Sequence, residues 1–385
     1  MFRYQKTKTF YGQISEDCKE LGADELRELG ARNIEPDYRG VSFEAKPKDL
    51  YRIVYCSRLF SRFLAPIHRF NCFHDDHLYN TANSMEWDRI FQPDMTFAIF
   101  ANVGNSNIRH SKFAAQRLKD AIADYFMEKY DRRPSVDTKD PDVWINLFIY
   151  KNKATINIDL GGGPGHKRGY RVSSVEAPMR ETLAAAVVRY SGWDGETPLY
   201  DPMCGSGTLL MEAMMSYCRI PALYKRHKFG FENLPDFEAA KWEDVKMRSD
   251  ERMRPLPPGL IFGSDKDADS IEAVLDNTSE ITFGDRVEIK RCDFRDIEEI
   301  HNATIICNPP YGMRLDDGTD IGDFMKEIGD FLKQKCTGSE AWIYLGSTAL
   351  VRRIGLRTSK KIILENGGLD GRLIKLEMYK GTRNP

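Results

Sequence analysis

None of the eight cysteines falls in a C-x-x-C pair or any other paired spacing, and the chain carries no N-terminal secretory signal. Disulfide scaffolds and thiolate zinc sites are thereby excluded, and a reducing, cytoplasmic setting with free thiols is expected. No apolar run approaches the roughly 20 residues needed to span a bilayer, so a soluble protein is expected. Neither sign of charge dominates: the formal net charge is −2, which disfavours a general polyanion binder and leaves room for local basic patches. There is no G-x-x-x-x-G-K-[ST] sequence, so a P-loop nucleotide hydrolase is disfavoured. Internal repeats and low-complexity tracts are also missing. Hydrophobic residues at 41% and aromatics at 11% supply filled cores, and 385 residues suggest two or three domains.

Residues 1–62 read as an α+β unit, with strands at 6–11 and 40–45, an acidic helix at 17–30 and a helix at 50–64. Residues 63–164 follow a different pattern. A strand at 96–103 precedes a helix capped by Ser111 that carries Ala114, Leu118, Ala121, Ile122 and Tyr125 on one face. Strands at 142–150 and 153–160 meet at Lys151-Asn152, a hairpin turn. The run Gly161-Gly162-Gly163-Pro164-Gly165 is the clearest hinge and marks the main domain boundary. Beyond it, at 165–385, strands and helices alternate, interrupted by a polar insertion at 219–258 and closed by an antiparallel pair at 361–365 and 372–379. Strands are expected at 197–200, 260–263, 286–292, 303–307 and 341–346, and helices at 178–190, 208–218 and 321–335. That alternation predicts an α/β, doubly wound, Rossmann-like sheet with a terminal hairpin.

Four strand ends carry chemistry. The first is Asp201-Pro202-Met203-Cys204-Gly205-Ser206-Gly207-Thr208, where two glycines allow a tight turn with close backbone approach before a helix N-terminus. Gly-x-Gly alone serves phosphates, dinucleotides and nucleosides alike. The acid before it suits an ammonium or amino-acid moiety better than a phosphate. Asp265, with Asp267 as the alternate, stands where a carboxylate accepts from both ribose hydroxyls. Asp293 is placed to accept from an adenine amine, with Phe294 flanking the ring. The fourth end, Asn308-Pro309-Pro310-Tyr311, follows the apolar Ile305-Ile306-Cys307. Its prolines stiffen the strand exit and remove two donors, leaving an amide oxygen and free carbonyls for an exocyclic amine and a Tyr ring for the base that bears it. In open α/β sheets such ends converge on one crevice.

These four ends, in this order, resemble the motifs of class I S-adenosylmethionine-dependent amino-methyltransferases. Residues 165–190, the stretch Arg219 to Glu232, Asn308 through Leu315 and Asn366 through Leu373 narrow the resemblance to THUMP-containing guanine-N2 methyltransferases of 23S ribosomal RNA. The similarity covers most of residues 45–380. It implies a ferredoxin-like segment at 1–62, a THUMP RNA-binding domain at 63–164 and a methyltransferase domain at 165–385. It also implies that Gly205 and Gly207, with Asp201, Pro202, Cys204, Ser206 and Thr208 around them, meet the methionyl part of S-adenosylmethionine. Asp265 would hold the ribose and Asp293 the adenine amine, while Asn308 and the Pro309 carbonyl would hold the target amine under Tyr311. The expected partner is 23S rRNA or a ribosomal assembly intermediate, without membrane, and a monomer is favoured.

Alternatives stay open at this point. They are an adenine-N6 methyltransferase on DNA or RNA, a tRNA guanine-N2 enzyme, a non-catalytic RNA-binding assembly factor, and more distantly an NAD-dependent reductase. Cys204 and Cys307 read as packing, and His74-Asp75-Asp76-His77 lacks a third ligand, so no metal is expected. The acidic turn Asp316-Asp317-Gly318 reads as a solvated loop. Basic residues concentrate at Lys46, Lys48, Arg52, Arg58, Arg62 and Arg69, and again at Arg352, Arg353, Arg357, Lys360 and Lys361. The aromatics interleaved with the first group, Tyr51, Tyr55, Phe60, Phe63 and Phe70, are either core or stacking platforms.

Overall fold

The computed structural model describes residues 1–175, 178–310, 320–365 and 370–379. They form two compact units, Met1–Gly165 with Arg226–Ser249, and His166–Lys225 with Asp250–Pro385. No helix of the described residues is long and apolar enough to cross a membrane.

The first unit is built on one eight-stranded sheet. Its strand order is Arg32–Asp37, Gly40–Glu44, Thr9–Gln13, Arg62–Asn71, Lys153–Asp159, Val143–Tyr150, Thr96–Gly104 and Ser135–Val136. The long strand Arg62–Asn71 joins the two halves, because it pairs with Thr9–Gln13 on one side and Lys153–Asp159 on the other. Four readings shift here. The chain starts as a helix, Arg3–Thr7, so the first strand begins later. The helix expected to reach residue 64 ends at Cys56, since the apolar run Phe63-Leu64-Ala65 serves the sheet. The strand Arg32–Asp37 escaped notice because its residues are mostly exposed and lack an apolar alternation. Ser111 is the first helical residue of Ser111–Tyr130 and not its cap, a position held by His110. The hairpin is as expected: Lys151 and Asn152 both take positive φ, 49° and 58°, which a two-residue turn between antiparallel strands demands.

Residues 226–249, part of the expected insertion, cluster with this first unit. Phe229, Phe231 and Trp242 pack onto Tyr51 and Tyr55 of the helix Pro47–Cys56, with ring centroids 4.8 Å apart for Tyr51–Phe231 and 5.2 Å for Tyr55–Trp242. Tyr51, Tyr55, Phe60 and Phe63 are therefore core, whereas Phe70 is half-buried against His68. The glycine run is also fastened. The Arg226 guanidinium donates to the carbonyls of Gly161 at 2.6 Å, Gly163 at 3.2 Å and Pro164 at 2.8 Å, which restrains the segment read as a hinge.

The second unit carries a seven-stranded sheet. Its order is Glu288–Arg291, Ile261–Asp265, Leu199–Asp201, Thr304–Cys307, Glu340–Leu345, Arg372–Glu377 and Thr358–Ile363. The first five strands are parallel and Arg372–Glu377 runs antiparallel between its neighbours. Fully buried strands such as Thr304–Cys307 are continuous apolar runs because helices cover both faces. The helix Ile321–Lys335 has the expected bounds: Asp320 caps it by accepting from Gly322 N at 2.7 Å, and Phe324, Met325, Ile328, Phe331 and Leu332 enter the core beneath it. The helix expected from residue 178 starts instead at Glu181, with Arg180 as its cap residue. Sequence order reverses between Leu199–Asp201 and Thr304–Cys307, and that switch point fixes where a crevice opens.

Candidate active site

At the switch point the strand Leu199–Asp201 delivers the turn 202–207 and then the helix Thr208–Tyr217. Gly207 adopts φ +81°, and a Cβ there would collide with Val274 on the neighbouring helix Ala268–Ser279, so conformation and space both demand glycine. Gly205 has φ +51°, and its Cβ position faces nothing nearer than Val175 at 3.7 Å. The turn is stitched to the adjacent strand: Cys204 N donates to Ser264 O at 3.0 Å and Gly205 N to Asp265 Oδ2 at 2.9 Å.

Asp265 is thereby aimed. A second N–H, from Asp267, reaches its Oδ1 at 3.1 Å, so both carboxylate oxygens are oriented by backbone donors and keep further lone pairs. Asp267 itself caps the following helix, its Oδ2 accepting from Ser270 N at 3.2 Å and Ser270 Oγ at 3.0 Å, and those bonds hold its carboxyl below the usual range. Asp293 ends the third strand and accepts from Arg295 N and Nη1, both at 3.0 Å. The next residue, Phe294, is 3% exposed, and its ring lies edge-on to Phe324 and Phe331, packed into the core.

Asp201 is 1% exposed and accepts from Met203 N at 3.1 Å. Burial pushes its carboxyl well above the usual range, the Met203 N–H pulls part of the way back, and the charge of Asp265 adds to the rise. Burial likewise raises the Cys204 and Cys307 thiols well above their ordinary value, which keeps both protonated.

The side chains of Ser206 and Thr208 help to fasten the turn. Arg171 donates to Ser206 Oγ at 3.0 Å, Thr208 Oγ1 at 2.9 Å and Met179 O at 3.2 Å, while its Nε pairs with Glu181 at 2.9 Å. Asn277, fully buried, uses its whole amide. Its nitrogen donates to Ser206 O at 3.0 Å and Ser173 O at 2.9 Å, and its oxygen accepts from Val172 N and Ser173 N. Sequence reasoning missed both residues, because neither stands in a local motif and only the fold brings them to the turn. Arg168 and Tyr170 are similarly buried on Glu212 of the helix Thr208–Tyr217, at 3.2 and 3.3 Å.

On the other side of the switch point, Asn308 follows Cys307. Its Oδ1 is buried and has no hydrogen-bond partner among the described residues. Pro309 is buried and Pro310 exposed, and Tyr311 lies outside the described residues, as do the acidic turn at 316–318 and the turn at 366–369. Among the described residues no cluster of His, Cys, Asp or Glu could hold a metal ion. The site thus combines an open glycine turn, three carboxylates at successive strand ends and an unsatisfied amide acceptor across the switch point. Carboxylates favour a cationic ligand there, and the amide oxygen favours an N–H donor.

Comparison with known proteins follows the same lines. Residues 168–375 match the RMKL-like methyltransferase domain, residues 74–159 the THUMP domain and residues 19–64 the RlmL ferredoxin-like domain. A Synechocystis protein provisionally named RNA methyltransferase slr0064 is 37% identical over 97% of both chains. The ribosomal RNA large subunit methyltransferase K/L of Syntrophotalea carbinolica is 34% identical over 96% of this chain, which spans 53% of that protein's length. The chain therefore spans about half of the curated K/L relatives it matches. The crystal structure of SMU.472, provisionally named a methyltransferase and complexed with SAH, superposes with a TM-score of 0.82 at 25% identity, covering 97% of this chain and 99% of that one. With its sheet order, its glycine turn and a match over more than half its length, the chain belongs to the RMKL-like methyltransferase family, carried with a THUMP domain and an RlmL-type ferredoxin-like domain.

Proposed function

We propose that the chain transfers a methyl group from S-adenosylmethionine to the exocyclic N2 amine of a guanine in 23S ribosomal RNA, in the cytoplasm. The carrying observation is the buried, partnerless Oδ1 of Asn308 at the exit of Thr304–Cys307. A buried acceptor without a partner costs about 1–3 kcal/mol. A substrate amine is the group that would satisfy it.

The residues fit the cofactor. The space at Gly205 admits a ligand against the backbone, and the Asp265 carboxylate, joined by Asp201 once a bound cation offsets its raised pKa, suits a molecule bearing ammonium and sulfonium charges. Gly205 and Gly207 would line its methionyl part, Asp265 its ribose and Asp293 its adenine amine. Bound there, S-adenosylmethionine supplies an electrophilic methyl group.

The protein's own work is orientation. The lone pair of an aromatic amine is delocalised into the ring, so the nitrogen is a weak nucleophile. Accepting its two N–H bonds at Asn308 Oδ1 and the Pro309 carbonyl localises that pair and aims it. The methylated nitrogen is strongly acidic and sheds its proton to water, so neither cysteine nor a dedicated base is required. A base must leave its stack to reach a strand-end crevice, so the target is a flipped or looped nucleotide. Tyr311 would stack on it.

The test is transfer of tritiated methyl groups to RNA from a strain lacking the enzyme, followed by nucleoside mass spectrometry. The expected product is N2-methylguanosine. Label confined to N6-methyladenosine, or appearing only in DNA, refutes the guanine reading.

A further inference from the structure

On one face of the strand Val143–Tyr150, Val143, Ile145, Leu147 and Ile149 are fully buried; on the other Asn146 is buried too, while Trp144, Phe148 and Tyr150 stay half-buried, so the face opens towards the Phe148–Tyr150 end. Register places Phe100 of the parallel strand Thr96–Gly104 on that same face, its ring 6.2 Å from Trp144. From the turn between the first unit's outer strands, Tyr38, 46% exposed, lies parallel to Tyr150 with centroids 5.0 Å apart and rings 17° from coplanar. Tyr150 in turn is near-parallel to Phe148 at 6.3 Å. The Tyr11 hydroxyl donates to Tyr38 O and fixes the turn that carries this outermost ring.

Cations surround the rings. Arg39 lies over Tyr38 at 5.4 Å, Lys151 over Tyr150 at 5.5 Å, and Arg62 over Phe100 at 4.0 Å. Cross-strand pairing puts Lys153 opposite Tyr150, Thr155 opposite Phe148, and Arg69 opposite Thr155, so Lys153 and Arg69 share the face. Arg62 is neutralised by Asp159. Arg39, Arg69, Lys151 and Lys153 are exposed and make no ion pair among the described residues. Asp37, the nearby acid, is turned to Tyr38 N and the Ser42 hydroxyl.

From this arrangement we infer that the open sheet face around Tyr38, Phe148 and Tyr150 is a stacking platform for single-stranded RNA. Two features select that occupant. Parallel rings reaching solvent accept bases that are already unstacked, which a duplex does not offer. Unpaired cations at the ring faces and edges match a phosphate backbone following those bases. The inference rests on the RNA reading above and adds where a loop or tail of that RNA is gripped, at a surface that carries none of the methyl-transfer residues.

The experiment uses the full chain, a fluorescein-labelled 12-mer oligouridine, a duplex of equal length, and methyl transfer to the RNA substrate. Tyr38→Ala and Tyr150→Ala should each weaken oligouridine binding on the order of tenfold, and the double variant should lose more. KM for RNA should rise with kcat and cofactor affinity retained. Tyr38→Phe and Tyr150→Phe should bind as the parent does, which separates the ring from the hydroxyl. Lys151→Glu should weaken binding and flatten its salt dependence. A double Ala variant that folds, methylates RNA and binds oligouridine like the parent overturns the platform alone, as does a duplex that binds more tightly than the single strand. A parent chain that binds no RNA and methylates only DNA overturns the RNA reading and the platform together.

Discussion

Replacing Asn308 by Ala should separate stability from turnover. The Asn308 oxygen is buried and unpaired among the described residues, so the folded protein already bears its desolvation penalty, about 1–3 kcal/mol. Truncation removes that penalty and leaves a small void whose cost is of the same order, about 1 kcal/mol. The net change in stability should lie between about zero and a gain of about 2 kcal/mol, with each kcal/mol worth roughly 2–4 °C in Tm for a unit of this size. Activity should behave differently. An acceptor that orients the nucleophile in the transition state is worth about 10²–10³ in rate, and kcat should fall by that factor. Cofactor affinity, measured by calorimetry, should stay within a few-fold, because most of the proposed cofactor contacts lie at the other strand ends. Thermal melts, calorimetry and methyl transfer on one preparation decide the matter. Loss of cofactor binding in step with activity would refute the role given to Asn308, and so would a strongly lowered Tm, which would mark the amide as structural.

Three further outcomes are expected. Arg171→Met removes the donors to Ser206 and Thr208 and leaves Glu181 buried without its ion partner, so cofactor affinity should drop about tenfold, with stability falling by roughly 3 kcal/mol; unchanged affinity would show that the turn holds itself. Gly207→Ala combines a left-handed backbone, about 1 kcal/mol, with a collision worth about 1–3 kcal/mol, and a second change, Val274→Ala, should restore the packing part alone; no recovery in denaturant melts would place the damage elsewhere. Asp201 has a raised carboxyl pKa in the folded chain, so its contribution to stability is full below the unfolded value near 3.9 and is lost as pH rises through the folded value. A cationic ligand pulls that pKa back down, so binding should release a proton and strengthen with rising pH until the folded value is passed. Calorimetry in two buffers of different ionisation enthalpy measures this, and Asp201→Asn should abolish it.

Legibility of the sequence followed the range of the forces involved. The helix Ile321–Lys335 was readable to the residue because its cap, its apolar spacing and its terminal lysines are all local. The hairpin at Lys151-Asn152 and the order of the four strand ends were readable for the same reason. The start at Arg3–Thr7 was misread because five residues contain too little periodicity to separate helix from strand. Tertiary demand took Phe63 and Leu64 from a helical pattern into a sheet, and it packed the Phe294 ring into the core. Arg171 and Asn277 were illegible in a stronger sense: Asn277 lies some 70 residues from the turn it supports, and no spacing rule links them.

The route of the backbone also bears on how the molecule is made. The chain leaves its first unit at Gly165, returns at Arg226 and departs again at Ser249. Phe229, Phe231 and Trp242 cover Tyr51 and Tyr55, and Arg226 fastens the glycine run. On an elongating ribosome the helix Pro47–Cys56 therefore waits, with its Tyr51 and Tyr55 face exposed, until the segment that covers it has emerged. By then the residues up to Lys225, including the glycine turn of the catalytic unit, are already outside. The two units must mature with overlapping timing, and a single proteolytic cut at residue 165 yields an amino-terminal piece lacking part of its own core.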